Sequence, residues 1–413
     1  MKYLLLIVFA GMFLFQACRT RALVLYQDLS FLYNPDSPVL KHKIMFEADS
    51  VYLYLSLSKN EKFKTFENFR SRYKLSGHKS NSFSEGEVIK LDFVPMNLKG
   101  YWDLTDQVIL RYTVQEGKPE EVFFVKIEDQ TRLQTHLLDL GQIYRKNTPE
   151  KIFMLSDSAT NPQLATYFYA NRNYQLEAGL QQDSVVYHIY KHDFPPADPP
   201  YMDKSIHPEV KEISADSGGI LSLGEVFNFQ GEGVVILTSN REIPGCFSFL
   251  LKNTKYPYLT NSSELIEPLV YLTSESEYKQ LQQAEDYKLA VDNFWMEIGG
   301  SMEYSRKLVQ HYYSRVEFAN RFFTSYKEGW KTDRGMVFII MGKPDYVTKS
   351  GQDEIWQYDQ IFNKEFVTFT FRKQPIFLSN DNYELQRSEN FKKLWDILID
   401  NWRKGIIIKN NNL

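Results

Sequence analysis

Hydrophobic and polar residues alternate in the first third of the chain. In one segment the apolar residues are spaced two apart: Val51, Leu53, Leu55 and Leu57. This period-two pattern is typical of a β-strand with one buried face. The apolar runs 108–114 and 122–127 flank a short segment that contains Gly117, which predicts a β-hairpin. We therefore predict an Ig-like β-sandwich over residues 18–135.

A second strand-rich block follows at 145–270. The run 185–190 precedes a proline cluster at 195–200, which must lie outside a sheet because proline lacks the backbone N–H that pairs strands. The runs 226–229 and 234–237 flank Gln-Gly-Glu-Gly, a second predicted hairpin. A dinucleotide-binding loop would need a third glycine and a following helix, so no nucleotide site is predicted. We predict a second β-sandwich.

From residue 272 to 413 the period changes to that of helices. Thr273-Ser-Glu-Ser-Glu predicts a capped helix start. Helical stripes follow on either side of Gly299-Gly300, with Val291, Trp295 and Ile298 on the first. The second stripe contains Tyr304, Leu308, Tyr312, Val316, Ala319 and Phe323. Strands are predicted at 336–341, 354–358 and 366–371, and a last helix at 391–402. The fold class is therefore mixed β and α+β.

The start of the chain has the pattern of an export signal. Lys2 precedes an apolar run from Tyr3 to Phe15, which fits the core of a signal peptide and is short for a membrane span. Phe-Gln-Ala-Cys18 resembles a lipobox, although its first two residues depart from the usual form. We expect a signal peptide at 1–17 and a lipidated Cys18 that tethers the chain to the bilayer. An uncleaved anchor or an ordinary secretory signal is the alternative.

Composition and charge narrow the function. A net charge of −4 gives no reason to expect nucleic-acid binding. The chain has two cysteines, so a lipidated Cys18 would leave Cys246 without a partner inside the chain. There is no Gly-x-Ser-x-Gly, P-loop or His-Glu-x-x-His motif. His188 and His192 are about 13 Å apart on a strand, too far for one metal. No catalytic residue, cofactor, metal or nucleotide is predicted.

One segment carries an unusual residue set, Gly329-Trp-Lys-Thr-Asp-Arg-Gly335, where a helix is predicted to end and a strand to begin. Gly329 fits a helix end with positive φ, and Trp330 fits a buried anchor. Thr332 and Asp333 suit hydrogen bonds to amides of the turn, and Arg334 could pair with a carboxylate. Gly335 permits entry into the strand. Met341-Gly-Lys-Pro-Asp345 then closes that strand with a turn.

This pattern resembles the GWxTD-domain family over about residues 280–400. Three segments carry the likeness: Arg315 to Asn320, the turn with its following Gly342-x-Pro344-Asp345, and Glu354-Ile-Trp356-Gln-Tyr358. The matching positions are Arg315, Asn320, Gly329, Trp330, Thr332, Asp333, Arg334, Gly335, Gly342, Pro344, Asp345, Trp356 and Tyr358. The family implies an exported protein or lipoprotein of Bacteroidota and has no assigned activity.

Three functions remain open at this point. The first is a periplasm-facing outer-membrane lipoprotein with a structural or interaction role and an envelope protein partner, its sandwiches acting as spacers and binding surfaces. The second is a lipoprotein that binds a glycan or peptide. The third is a hydrolase with Asp333 and Arg334 near Asp345 in a cleft. A buried Asp333 bonded to backbone amides would count against the third.

Overall fold

The computed structural model describes residues 28–34, 40–47, 50–59, 63–81, 93–131, 134–144, 153–157, 159–178, 183–202, 213–238, 247–361 and 364–407. The predicted signal peptide, Cys18 and Cys246 lie outside the described residues. The described chain forms five sheets, and its longer helices lie in the C-terminal half. This confirms the mixed β and α+β class. None of the helices described is long and apolar enough to cross a membrane.

The first unit is a sandwich of two antiparallel sheets, with strand orders β1-β2-β6-β5 and β4-β3-β7-β8. Its core contains Val51, Leu53, Leu55 and Leu57, as the alternation predicts, but Tyr54 and Ser56 on the other face of β2 are also buried. The elements are β1 Leu40–Glu47, β2 Ser50–Ser58, α1 Phe66–Arg72, β3 Tyr73–Asn81, β4 Val94–Pro95, β5 Asn97–Asp103, β6 Gln107–Val114, β7 Glu121–Asp129 and β8 Gln134–Asp139.

The second unit is also a sandwich, with strand orders β10-β9-β12-β15 and β11-β17-β16-β13-β14. Leu176, Val185, Val235 and Leu251 meet in its core. The strands are β9 Phe153–Asp157, β10 Pro162–Gln163, β11 Tyr167–Tyr169, β12 Tyr174–Ala178, β13 Ser184–Tyr190, β14 Ser217–Ser222, β15 Val226–Phe227, β16 Gly233–Thr238 and β17 Phe247–Lys252.

Both predicted hairpins are wrong in the same way. β6 pairs with β2 and β5, whereas β7 pairs with β3 and β8 in the opposite sheet. Likewise β15 pairs with β12, whereas β16 pairs with β13 and β17. Two alternating strands joined by a short loop have the same pattern whether they lie side by side or face each other. The six residues between β6 and β7 easily bridge the roughly 10 Å between packed sheets.

The third unit packs helices against the sheet β18-β19-β20-β21. The predicted stripe is buried in its core from Leu308 to Phe323, whereas its first residue, Tyr304, is exposed. Its elements are α2 Ser262–Ile266, α3 Glu275–Gln282, α4 Tyr287–Gly299, α5 Met302–Phe323, α6 Asp333–Met341, β18 Tyr346–Ser350, β19 Asp353–Ile361, β20 Lys364–Lys373, β21 Tyr383–Leu385 and α7 Lys392–Arg403. Short 3-10 turns lie at Ser30–Tyr33, Glu267–Tyr271, Gly329–Lys331 and Glu389–Phe391.

Met336–Met341 is not the predicted strand but the body of helix α6. Every residue from Arg334 to Met341 is buried, so the apolar run has no exposed positions from which a helical period could be recognised. The Thr332 hydroxyl accepts the Gly335 N–H and starts the helix. Gly342, at φ +83°, ends it before the turn to β18. The Gly-x-Pro-Asp turn therefore follows a helix.

Shared apolar clusters join the three units. Met45 and Tyr54 of the first sandwich contact Met154 and Leu164 of the second. Phe194 and Leu250 of the second sandwich pack with Tyr326 and Leu378 of the third unit. The N-terminal turn Ser30–Tyr33 does not pack only with the first sandwich, because Leu29 and Tyr33 are buried in the core of the third unit. The first residues that the structure describes therefore pack in the C-terminal unit.

Candidate functional site

The motif turn, defined as Gly329–Gly335, is held by close backbone contacts. A Cβ atom on Gly329 would lie 2.0 Å from the Ala319 carbonyl oxygen on α5. A Cβ atom on Gly335 would lie 1.9 Å from the Gly329 carbonyl oxygen. Gly329 does not have the predicted positive φ, and Gly335 lies in a helix instead of at a strand entry. Both positions need glycine because the turn is pressed against α5 and against itself.

Trp330 anchors this turn in the core, as its residue type predicts. Its side chain is buried, and its backbone N–H donates to Asn320 Oδ1 at 3.1 Å. The Asn320 Nδ2 group donates to the Pro257 carbonyl, so one buried amide ties α5 to the turn and to the segment after β17. Tyr271 donates its hydroxyl to the Trp330 carbonyl at 2.8 Å. The Asn320 and Trp330 positions of the motif therefore form one hydrogen-bonded unit.

Thr332 and Asp333 have different partners. Thr332 caps α6, and its hydroxyl also donates to the Gly329 carbonyl at 2.7 Å. Asp333 does not bind the turn: its Oδ2 accepts the Leu385 N–H of β21 at 2.7 Å. Arg387 donates to both oxygens of Asp333, at 3.0 and 2.5 Å, and also to the Asp198 carbonyl. Asp333 therefore links α6 to the last strand and, through Arg387, to the proline segment.

Arg334 belongs to a buried charge cluster on the sheet side. Its guanidinium lies 3.6 Å from Glu354 Oε2 and 3.8 Å above the Tyr383 ring. Glu354 is fully buried and accepts hydrogen bonds from the Tyr33 hydroxyl and the Trp356 indole. Burial alone would raise the pKa of Glu354, but Arg334 and Lys349 lower it below its usual value. Glu354 therefore stays ionised in the core and holds the N-terminal turn against it.

Arg315 binds backbone carbonyls at the C-terminal end of α6. It is buried, and its Nη1 donates to the carbonyls of Ile339 and Ile340 at 2.9 and 3.0 Å. These are carbonyls of the last helical turn, where a positive charge is favourable. Burial lowers the pKa of Arg315 to about 10, so it remains charged at neutral pH. Arg315 thus caps the helix that Thr332 starts.

The remaining motif residues fix the turn between α6 and the sheet. Tyr358 donates its hydroxyl to the Gly342 carbonyl at 2.9 Å. Asp345 accepts the Asp359 N–H at 2.7 Å, and Pro344 is buried. Trp356 lies beside Tyr358 on the core face of β19. These contacts fix where β18 leaves the helix.

An ionic chain connects the motif turn to the second sandwich. Lys331 Nζ lies 2.5 Å from Asp193 and 3.3 Å from Glu328, and Glu328 pairs with Lys252 on β17 at 3.0 Å. Burial alone would raise the pKa of Glu328, but Lys331 and Lys252 hold it at about 2. These groups line a cleft of about 410 Å³ between the sandwich and the turn. Their charges neutralise one another across the interface.

The structure gathers the predicted residues into two groups at the two ends of α6. Asp333 is the first residue of this nine-residue helix and Asp345 follows its last residue, so the two carboxylates share no cleft. Sequence reasoning missed Arg387, Glu354 and the ionic chain. Glu354 could have been predicted to be buried, because it shares a strand face with Trp356 and Tyr358. No sequence pattern points to Arg387. Among the described residues, no cluster of His, Cys, Asp and Glu could hold a metal ion.

A model of a known protein family matches the part of the chain that contains the motif turn. Residues 233–404 match the model of the GWxTD domain. The matched region begins at β16, so it includes two strands of the second sandwich as well as the whole third unit. It is wider than the resemblance at 280–400 indicated. No curated protein matches the chain. The chain therefore contains a GWxTD domain at residues 233–404, and the motif turn lies within that domain.

Proposed function

We propose that the chain is a membrane-anchored lipoprotein with a structural or protein-interaction role in the cell envelope. The observation that supports this proposal is that the charged side chains of the motif already have binding partners inside the domain. Asp333, Arg334 and Arg315 each bind a group of another element within the domain. Because these charged side chains are bound inside the domain, they stabilise its fold. A protein partner would therefore be bound by the outer surface of the domain.

The surroundings of Asp333 do not support the hydrolase alternative. It needs Asp333 in an open cleft, but the Asp333 side chain is 11% exposed and bound by Arg387 and the Leu385 amide. A general base must reach the proton that it abstracts. With both carboxylate oxygens already engaged, Asp333 is better suited to a structural role.

A groove favours the ligand-binding alternative as the second candidate. Its volume is about 590 Å³, and it lies between the proline segment 195–199 and helix α7. Tyr201, Trp395 and Ile399 line it together with Asp396 and Asp400. Such a size and mainly apolar lining suit a peptide segment or a sugar. Trp395→Ala, compared with Ile220→Ala on the second sandwich, should reduce retention of envelope peptides or glycans if this candidate holds.

The anchor is tested first. Cys18→Ser should abolish labelling by a palmitate analogue and leave a larger precursor. Continued processing and labelling of that variant would disprove the anchor at this residue. As a control, Cys246→Ser should change neither, because lipid transfer is directed at the cysteine after the signal peptide.

The partner and the compartment need separate experiments. Cross-linking in whole cells, followed by capture of the lipidated chain, should yield a stable outer-membrane or periplasmic protein. Basic Arg19 and Arg21 after Cys18 support a periplasm-facing location of the Bacteroidota type, since surface-exported lipoproteins there usually carry acidic residues at these positions. External protease should therefore leave the chain intact in unbroken cells and degrade it after the outer membrane is opened.

A further inference from the structure

The N-terminal tether joins the fold at one identifiable point, the edge of the C-terminal sheet. Leu29 donates its N–H to the Val347 carbonyl of β18 at 2.7 Å. Asp28 Oδ1 accepts the Val347 N–H at 3.2 Å and also binds Ser30. The chain is therefore fixed to β18 ten positions after Cys18. Ten residues span at most about 35 Å when fully extended, so the bilayer lies close to this sheet edge if Cys18 is anchored.

Two exposed aromatic rings stand out by having no partner in the described part of the chain. Seven aromatic side chains are exposed there: Tyr101, Tyr258, Tyr287, Tyr304, Tyr346, Phe366 and Phe377. Five of them stack on another ring or hydrogen-bond to a neighbour. Tyr346 and Phe366, which are 49% and 51% exposed, do neither. Nothing described in the fold explains why these two rings face solvent.

The same two rings share the outer face of the C-terminal sheet, next to the tether. Tyr346 pairs with Gln357, which pairs with Thr368, two residues from Phe366. The buried residues Val347, Trp356 and Phe369 face the core between them, so Tyr346 and Phe366 both point outwards. With strands about 4.8 Å apart, the two positions are about 12 Å from each other. Tyr346 directly precedes the strand residue that binds Asp28.

The rest of this face suits a lipid surface. Thr348, Thr368 and Thr370 are uncharged, and Asp359 is bound by the Gln357 amide. The charged pair Arg372–Asp353 lies at the far end of the sheet. A tyrosine ring is favoured in the headgroup region because it combines an apolar body with a polar tip, and a phenylalanine ring is favoured at the adjoining boundary with the acyl chains.

We propose that the outer face of β18–β20 rests on the bilayer that holds the Cys18 lipid, with Tyr346 and Phe366 in its headgroup region. This contact deepens the proposed function and rests on it, because the short tether brings the face to the membrane. The lipid anchor supplies the attachment, and the two rings set the orientation. The GWxTD domain then sits at the membrane.

The contact can be measured without removing either ring. The lipidated full-length chain, in a Cys246→Ser background, is labelled with an environment-sensitive dye at Thr368→Cys, an exposed outer-face position two residues from Phe366. The matched label is at Ile220→Cys on β14, which is 68% exposed. Both proteins are placed in phosphatidylethanolamine–phosphatidylglycerol vesicles that contain a nitroxide-labelled headgroup. We expect the nitroxide to quench the dye at position 368 and to leave the dye at 220 unchanged.

The control variants separate the possible outcomes. Tyr346→Ser with Phe366→Ser should relieve the quenching at position 368, whereas Tyr101→Ser should not. Equal quenching at 368 and 220 on a lipidated chain overturns this inference and leaves the anchor intact. Mass spectrometry that finds no lipid on Cys18 overturns the anchor and the contact together. Protection of position 368 by a cross-linked protein, without lipid quenching, also refutes the lipid contact.

Discussion

Replacing Asp333 by Asn tests whether the motif carboxylate is structural. Asp333 and Arg387 have side chains only 11% and 8% exposed, and the guanidinium donates to both carboxylate oxygens. Asn keeps an acceptor for the Leu385 N–H but leaves the Arg387 charge without its counter-ion. Removing one member of a buried ion pair costs roughly 3–5 kcal/mol. Because the amide retains part of the bonding, we expect the free energy of unfolding to fall by about 3 kcal/mol.

A second Asp–Arg pair in the same unit provides the control. Asp353 and Arg372 also form a double hydrogen bond, at 2.8 and 2.9 Å, but Arg372 is exposed. Solvent screens such a pair, so Asp353→Asn should unfold close to wild type. The double variant Asp333→Asn with Arg387→Gln removes the stranded charge and should lose less than the sum of the single losses, by on the order of 2 kcal/mol.

Denaturant unfolding followed by tryptophan fluorescence reports this unit selectively. Of the six tryptophans, only Trp102 lies outside residues 262–413. The measurement can be made on the lipidated chain in detergent micelles. The structural interpretation of Asp333 fails if Asp333→Asn unfolds at the wild-type denaturant concentration while a deletion strain is not complemented. That result would assign Asp333 to a functional site.

Three further predictions concern other parts of the fold. Gly335→Ala should prevent accumulation of folded protein, because its methyl group would meet the Gly329 carbonyl, whereas Gly100→Ala, with open space around it, should express normally; soluble yield measures both. Burial, and then Arg315, lower the pKa of His311 from 6.5 to about 4. The unfolded chain therefore binds a proton between these values that the folded chain does not, stability falls as pH falls from 6.5 to 4, and His311→Gln should flatten that part of the melting-temperature profile. Tyr33→Phe removes the hydrogen bond to Glu354 and should speed hydrogen exchange at residues 28–34 while leaving the second sandwich unchanged.

The sequence predicted those elements that have one buried and one exposed face. The stripe on α5 and the alternation in β19 are visible because more exposed residues interrupt the buried ones. In β2 the apolar spacing was recognisable although Tyr54 and Ser56, on its other face, are buried as well. Helix α6 has no exposed side after Asp333, so its period is absent from the sequence and it was taken for a strand. The hairpins failed because pairing between strands depends on the whole sheet, and the local pattern does not contain it.

For the motif turn, too, some features could be predicted from the sequence and others could not. Residue type was enough to predict that Trp330 is buried and that Thr332 bonds to the turn. The partner of Asp333 lies 54 positions away, and the partner of Arg334 lies 20 positions away on another element. Local chemistry shows that such charges need partners, but only the packing of α6 against the sheet selects them.

The path of the chain changes the role expected for the sandwiches. In sequence they lie between Cys18 and the GWxTD domain, which suggested that they act as spacers and binding surfaces. In the fold, however, Leu29 and Tyr33 are buried in the C-terminal core, and Tyr33 binds Glu354 beside Arg334. A chain anchored at Cys18 therefore reaches the GWxTD domain before either sandwich. The same buried carboxylate binds Arg334 of the motif and Tyr33 of the N-terminal turn, so loss of Glu354 should loosen both at once.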